Sequence, residues 1–268
     1  MAAHPVSITR RGFGETARRD GWWIAPVLTF LGLGAFVVYS TWAAFQGVHY
    51  TYGPYLSPMY SPLIWEAAGQ GVSGHSWLGT WPEWLPSWLI LPITPAFLVL
   101  WAPGGFRVTC YYYRGAYYKS FWADPPACAV GEPRSGYRGE RTFPLILQNV
   151  HRYFLYLALL FIVILGYDAI AATQFSDGFG IGVGTVVLTI NVILLGGYTF
   201  GCHSLRHLVG GGCDVLSDKP VRNALWTWVG KLNRKHMLWA WMSLFWVGFT
   251  DFYVRMCSMG IFTDYRIL

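Results

Sequence analysis

The chain has 268 residues and a mass of 30.2 kDa, with 54% hydrophobic, 18% aromatic and only 12% charged residues. Soluble globular domains carry about 25% charged residues, so this chain cannot cover a water-facing surface of its size, which excludes a soluble enzyme, a disordered chain and a collagen-like one. One membrane-embedded domain fits these numbers, and the net charge of +6 then matters less than where the charges lie.

The N-terminal segment MAAHPVSITRRGFGETARRD has no short apolar core followed by a small-residue cleavage site, so no removable signal peptide is expected. A helix needs about 20 mostly apolar residues to cross roughly 30 Å of hydrocarbon. Five runs qualify: 23–45; 84–101, which is short and interrupted by Pro86, Pro92 and Pro95; 150–172; 178–207; and 237–260. The expected fold is an all-α membrane protein of one domain, with five transmembrane helices joined by an outer loop 46–83 and an inner loop 103–143. The outer loop, rich in Tyr, Trp, Gly, Pro and Ser, is expected to lie against the membrane surface, its aromatics acting as interface anchors.

Lysine and arginine set the orientation. The N-terminal segment carries Arg10, Arg11, Arg18 and Arg19, and the loops 47–83 and 173–177 carry none. Segment 103–143 carries six, segment 206–236 six more, and Arg152 starts the third helix. Only Arg255 and Arg266 fall on the other side, so 17 of 19 cations share one face. This places the N-terminus inside and the C-terminus outside.

The metal-competent residues follow the same map. Four of the seven histidines, His151, His203, His207 and His236, fall at the inner ends of helices three, four and five. Four of the five cysteines, Cys110, Cys128, Cys202 and Cys213, lie on that side as well. Ionisable groups at such helix ends are candidates for a functional site; any one of them alone reads more readily as a packing residue, and it is four histidines at one level that favour a redox or metal role. His203 and His207 are four residues apart and share a helical face, whereas Cys110 and Cys128 are separated by seventeen residues, far looser than a zinc knuckle. Two thiolates with two imidazoles suit a Rieske-type [2Fe–2S] centre and equally a Cys2His2 zinc site; haem b between two histidines, such as His151 and His207, is a third possibility. Nearer the outer end, Asp251 and Arg255 are one turn apart and can pair, and Asp168 lies at a similar depth. A buried ion pair tying helices together is the expected role, with a step in a proton path as the other reading. A transporter would show matching halves and broken helices, and no internal repeat is visible.

The segments TRRGFGETARRDGWW, TCYYYRGAYYKSFW, PPACAVGEP, FPLILQNVHRYFLY and CHSLRH resemble the large single-chain membrane anchor of succinate dehydrogenase, over about residues 10–265. The resemblance implies a subunit of succinate:quinone oxidoreductase that does not itself act on succinate. It implies flavoprotein and iron–sulfur subunits docked on the inner face, quinone as electron acceptor, room for a higher oligomer, and a multi-pass location in the cytoplasmic (inner) membrane with lipids around it. The +6 charge then reads as topology and partner docking rather than nucleic-acid binding. Five-helix, two-haem anchors carry axial histidines in helices one, two, four and five; here helices one and two contain none. That argues against two haems, and a Rieske-like [2Fe–2S] centre is preferred because Cys110 and Cys128 flank the same face, with these two as thiolates and two imidazoles from His151, His203, His207 and His236. One haem b at the inner level is the alternative. Arg114, Tyr118, Arg152 and Tyr153 are the candidates to hold the quinone head group.

Overall fold

The computed structural model describes residues 12–66, 73–82, 94–134, 136, 142–143 and 145–268. Most of the second apolar run, together with His4, Arg10, Arg11, Arg138 and Arg141, lies outside the described residues. The elements in order are α1 (Ile24–Gln46), a hairpin of β1 (Thr51–Tyr52) and β2 (Tyr55–Leu56), α2 (Pro95–Val108), α3 (Tyr111–Phe121) and a short 3-10 turn (Leu145–Val150). They continue with α4 (His151–Ala171), a hairpin of β3 (Gln174–Phe175) and β4 (Gly178–Phe179), α5 (Val183–Phe200), α6 (His203–Gly210), α7 (Pro220–Asn233) and α8 (His236–Ser258). The described residues hold three helices long and apolar enough to cross a membrane: Ile24–Gln46, Ile146–Ala171 and Val183–Phe200.

The chain forms two compact units. The first comprises residues 1–35 and 108–149. In it the N-terminal arm pairs with the segment around Cys128. Gly14 N–H donates to Gly131 O at 3.0 Å, Gly131 N–H to Glu15 O at 2.9 Å, and Thr16 Oγ1 to Ala129 O at 2.9 Å. Arg18 reaches Cys128 O at 3.0 Å while pairing with Asp20. The Asp20 hydrogen bond raises the pKa of Arg18, and the Arg18 hydrogen bond lowers that of Asp20. Phe30 packs on Phe121 of α3, with ring centroids 4.8 Å apart. The segment 103–143, read from sequence as a loop, thus contains a helix, α3, which begins on the extended backbone of Cys110.

The second unit comprises residues 36–107 and 150–268. Helix α5 packs chiefly on α8 and on α4. Close approach rests on glycine: a Cβ at Gly197 would stand 2.6 Å from the Trp239 ring. The segment after α1 departs from the surface-lying loop expected from its composition. Residues 55–63 are all buried, and Tyr50, Leu56, Met59, Tyr60 and Leu63 form a core with Ala43, Ala44 and Ala96. Tyr50 and Tyr60 stack at 4.3 Å. The Tyr60 hydroxyl donates to Ala43 O at 2.8 Å and accepts from Gly47 N–H at 3.0 Å. These tyrosines bury because each hydroxyl has an internal partner, which an interface anchor would find in water.

Helix boundaries also depart from the hydropathy reading. The apolar run expected over 178–207 ends at Phe200, and CHSLRH opens a separate helix. Gly201 marks the break: the Asn233 side chain donates to its carbonyl at 2.8 Å. Cys202 then caps α6, with Sγ accepting from Ser204 N–H at 3.4 Å. Segment 206–236, read as a connection, carries α7, which packs on α6.

Candidate functional site

Four helix ends of the second unit meet at the level of His151. Helix α2 ends in Phe106 and Arg107, α4 begins with His151, α5 ends two residues before Cys202, and α8 begins with His236. The rings form a layered stack. Phe106 lies flat on His151 at 4.6 Å with a 10° interplanar angle, and edge-on to Tyr198 at 5.4 Å. Tyr198 stacks on His236 at 5.0 Å. The other face of the His151 environment is a thiol: Nε2 lies 3.1 Å from Cys202 Sγ, and both residues are buried.

Arg107 closes this layer. Its guanidinium sits 4.7 Å from the Tyr198 ring centroid and donates to Ser243 Oγ at 2.9 Å. Arg107 and Tyr198 also line a cavity of about 270 Å³ inside the second unit. The rest of its wall is mostly apolar, with Phe36, Leu100, Phe161 and Leu195 as large contributors and Ser40, Thr41 and Thr199 as the other polar ones. The chamber runs along α2 from Phe97 to Arg107, about 15 Å of helix at 1.5 Å per residue.

The structure brings several of the expected ligands together. His151 and His236 are within electrostatic range of each other and of His203. His203 and His207 share an exposed face of α6, their Nε2 atoms 2.9 Å apart. What burial the His203 ring has, then His207 and Arg206 beside it, lowers its pKa from the ordinary imidazole value. That shift favours the neutral imidazole, the form that binds a metal. Among the described residues, no group of three or more His, Cys, Asp or Glu side chains stands ready-arranged around one point.

The remaining candidates lie elsewhere. Cys110 and Cys128 belong to the first unit, Cys110 buried and Cys128 exposed. Arg114 lies over the rings of Tyr111 and Tyr118, at 5.5 and 5.9 Å, in the first unit. Arg152 lies over Tyr153 at 5.1 Å in the second unit, with Tyr153 58% exposed. Three residues of the layered site were not singled out from sequence: Phe106, Arg107 beyond its charge, and Tyr198. Tyr198 carried no signal, being one aromatic in an apolar run. Cys202 was visible in CHSLRH, but its partner His151 is 51 residues away.

A second polar cluster occupies the opposite end of the bundle. Asp251 accepts from Tyr39 OH at 2.6 Å and from Ser57 Oγ, and pairs with Arg255 Nε at 3.4 Å. Arg255 also donates to Val48 O at 2.8 Å and lies over Trp42 at 5.2 Å. Asp168, expected at the same depth, is bound by Ser61. Asp264 accepts from Tyr55 OH and Tyr253 OH at 2.7 Å and from Gly184 N–H at 2.9 Å, so the C-terminal segment caps α5.

A family model described as actinobacterial succinate dehydrogenase subunit SdhC matches residues 24–260. No curated protein matches the chain. Among solved structures, a chain of the Mycobacterium smegmatis Sdh1 complex in the apo form is similar at 48% identity, with each chain covered over 100% of its length and a TM-score of 0.86.

Proposed function

The chain belongs to the family of actinobacterial succinate dehydrogenase subunit SdhC, and on that premise we propose that it anchors the complex in the cytoplasmic membrane and carries electrons to quinone through a Rieske-type [2Fe–2S] centre. Five crossings are proposed: α1, the run ending in α2, α4, α5 and α8. Helix α8 has 23 residues, about 34 Å at 1.5 Å per residue, and its two opposite charges are buried against each other. The cation-rich face, with the N-terminus, lies inside, and the C-terminus outside. The flavoprotein and iron–sulfur subunits dock on that inner face.

The observation that carries the reading is the buried thiol–imidazole contact of Cys202 and His151 beside His236. It pairs a thiol with an imidazole and has a second imidazole within electrostatic range, the residue types of a mixed Cys/His iron–sulfur site, which would still have to be drawn together around the centre. The second thiolate is Cys110 or Cys128. Cys110 is buried and Cys128 exposed, and burial favours Cys110. His203 and His207 complete the set of imidazoles. When bound, such a centre supplies a one-electron carrier with a higher potential than an all-thiolate cluster.

The chain's own residues then serve quinone. The apolar cavity excludes water and suits an isoprenoid tail. Arg107 at its end donates hydrogen bonds to an oxygen that gains negative charge on reduction. Arg114, Tyr118, Arg152 and Tyr153 are the further candidates for head-group contact. Imidazoles not used as ligands can pass protons at neutral pH.

Iron, acid-labile sulfide and EPR on the intact purified complex test this. The expected result is a Rieske-type signal that disappears in Cys202→Ala and His151→Ala and persists in Cys213→Ser. The serine variants of Cys110 and Cys128 identify the second thiolate. A complex without cluster iron and without that signal overturns the reading; haem b bands in the reduced-minus-oxidised optical spectrum would replace it with a haem-b anchor.

A further inference from the structure

We propose that α7 is an interfacial helix that lies in the headgroup layer and binds anionic phospholipid. The helix has two faces. One packs on α6: Val229 is buried, Trp226 lies under Arg206 at 4.2 Å, and Arg222 is tied to Val209 O, Gly211 O and Cys213 Sγ at 2.7–2.8 Å. The other carries Val221, Leu225 and Trp228, which are 72%, 49% and 48% exposed. Their spacing of four and three residues puts them in one stripe. Lys231, Arg234 and Lys235, all exposed, lie beside that stripe. No acidic residue occurs between Lys219 and Thr250.

The position of α7 selects a membrane as the occupant of this stripe. Helix α5 has 18 residues, about 27 Å at 1.5 Å per residue, close to the roughly 30 Å hydrocarbon thickness. Its last residue, Phe200, therefore stands at a membrane boundary, and the Trp228 ring lies 5.9 Å from it. Tryptophan at that depth has its preferred place. Met237 and Leu238 at the start of α8 are exposed as well. A basic amphipathic helix with Trp and Leu on its apolar face binds an interface by apolar burial plus attraction to anionic lipid. This inference rests on α5 crossing the membrane and needs neither the metal centre nor quinone.

Hydrogen exchange by mass spectrometry, on the whole complex in nanodiscs of phosphatidylcholine with or without phosphatidylglycerol, tests it. Amides of 219–235 are expected to exchange about thirtyfold more slowly with phosphatidylglycerol present, on the order of what two surface cations confer. That difference should vanish in Lys231→Gln/Arg234→Gln, and protection in both lipids should fall in Val221→Ser/Leu225→Ser. Equal exchange in both lipids, unaffected by either variant, overturns the proposal. Protection that is lost when the soluble subunits are stripped assigns the stripe to a protein partner and also overturns it. Fast exchange along α5 itself would instead refute the crossing.

Discussion

Asp251 and Arg255 illustrate what one buried charge requires of its surroundings. They are 0% and 1% exposed, at a depth where desolvation of either alone is expensive. The pair persists because its remaining bonding capacity is met by Tyr39, Ser57 and the carbonyls of Val48 and Ala43. These partners come from α1 and the segment after it, so one carboxylate fixes three parts of the chain. Asp251→Asn keeps the shape but leaves Arg255 without a counter-charge. Removing one member of such a pair costs about 3–5 kcal/mol. Thermal unfolding of the detergent-solubilised complex should show a clear fall in midpoint. The Asp251→Asn/Arg255→Met double variant should recover much of it, because it removes the orphaned charge. No recovery would mean that the neighbouring hydroxyls, not the ion pair, hold this end together.

At the scale of elements, the segment after α1 works as a plug. Tyr60 is its fulcrum, since its hydroxyl bridges Ala43 O and Gly47 N–H where α1 ends. Tyr60→Phe leaves Gly47 N–H without its partner and Ala43 O with only the long bond from Arg255, at about 1–3 kcal/mol. The expected outcome is a matching loss of stability with faster proteolysis within 47–66; protection equal to wild type would contradict a plug. This element was hidden in the sequence for a physical reason. Tyr, Pro and Gly suit a membrane interface and a packed core equally, and the groups that decide, Asp251 and Asp264, lie about 200 residues further along. Long spans were legible because hydropathy is a local sum. The division of α5 from α6 was not, since apolar residues continue to the break and the group that secures it, Asn233, is 32 residues away from Gly201. Of the candidate site, the clustering of histidines could be read from helix ends alone. The layer of Phe106, Tyr198 and Arg107 could not, because aromatic residues are everywhere in this chain and only packing selects these.

For the whole molecule, the scarcity of charge is also an asymmetry. Of 19 lysines and arginines, the sequence assigns 17 to one side, and on the topology proposed above that is also the side of the histidine layer. The loops on the opposite side hold their polar groups inside, as in the bonds of Asp251, Asp168 and Asp264. The cytoplasmic side of a membrane retains lysine and arginine, and on the function proposed above it is also where the soluble subunits dock. One charge pattern therefore serves topology and assembly together. Thiol labelling can separate the two. Cys128 is exposed in its own unit, and Leu78, in the segment after α1, is 62% exposed. A membrane-impermeant maleimide applied to intact spheroplasts should label Leu78→Cys and spare Cys128, and inverted vesicles should reverse both results. Stripping the soluble subunits from those vesicles should then speed the labelling of Cys128. The reverse sidedness would invert the topology and put the histidine layer outside, on the wrong face for its donors. Correct sidedness with unchanged Cys128 labelling after stripping would keep the topology and move the docking surface away from the segment 125–133.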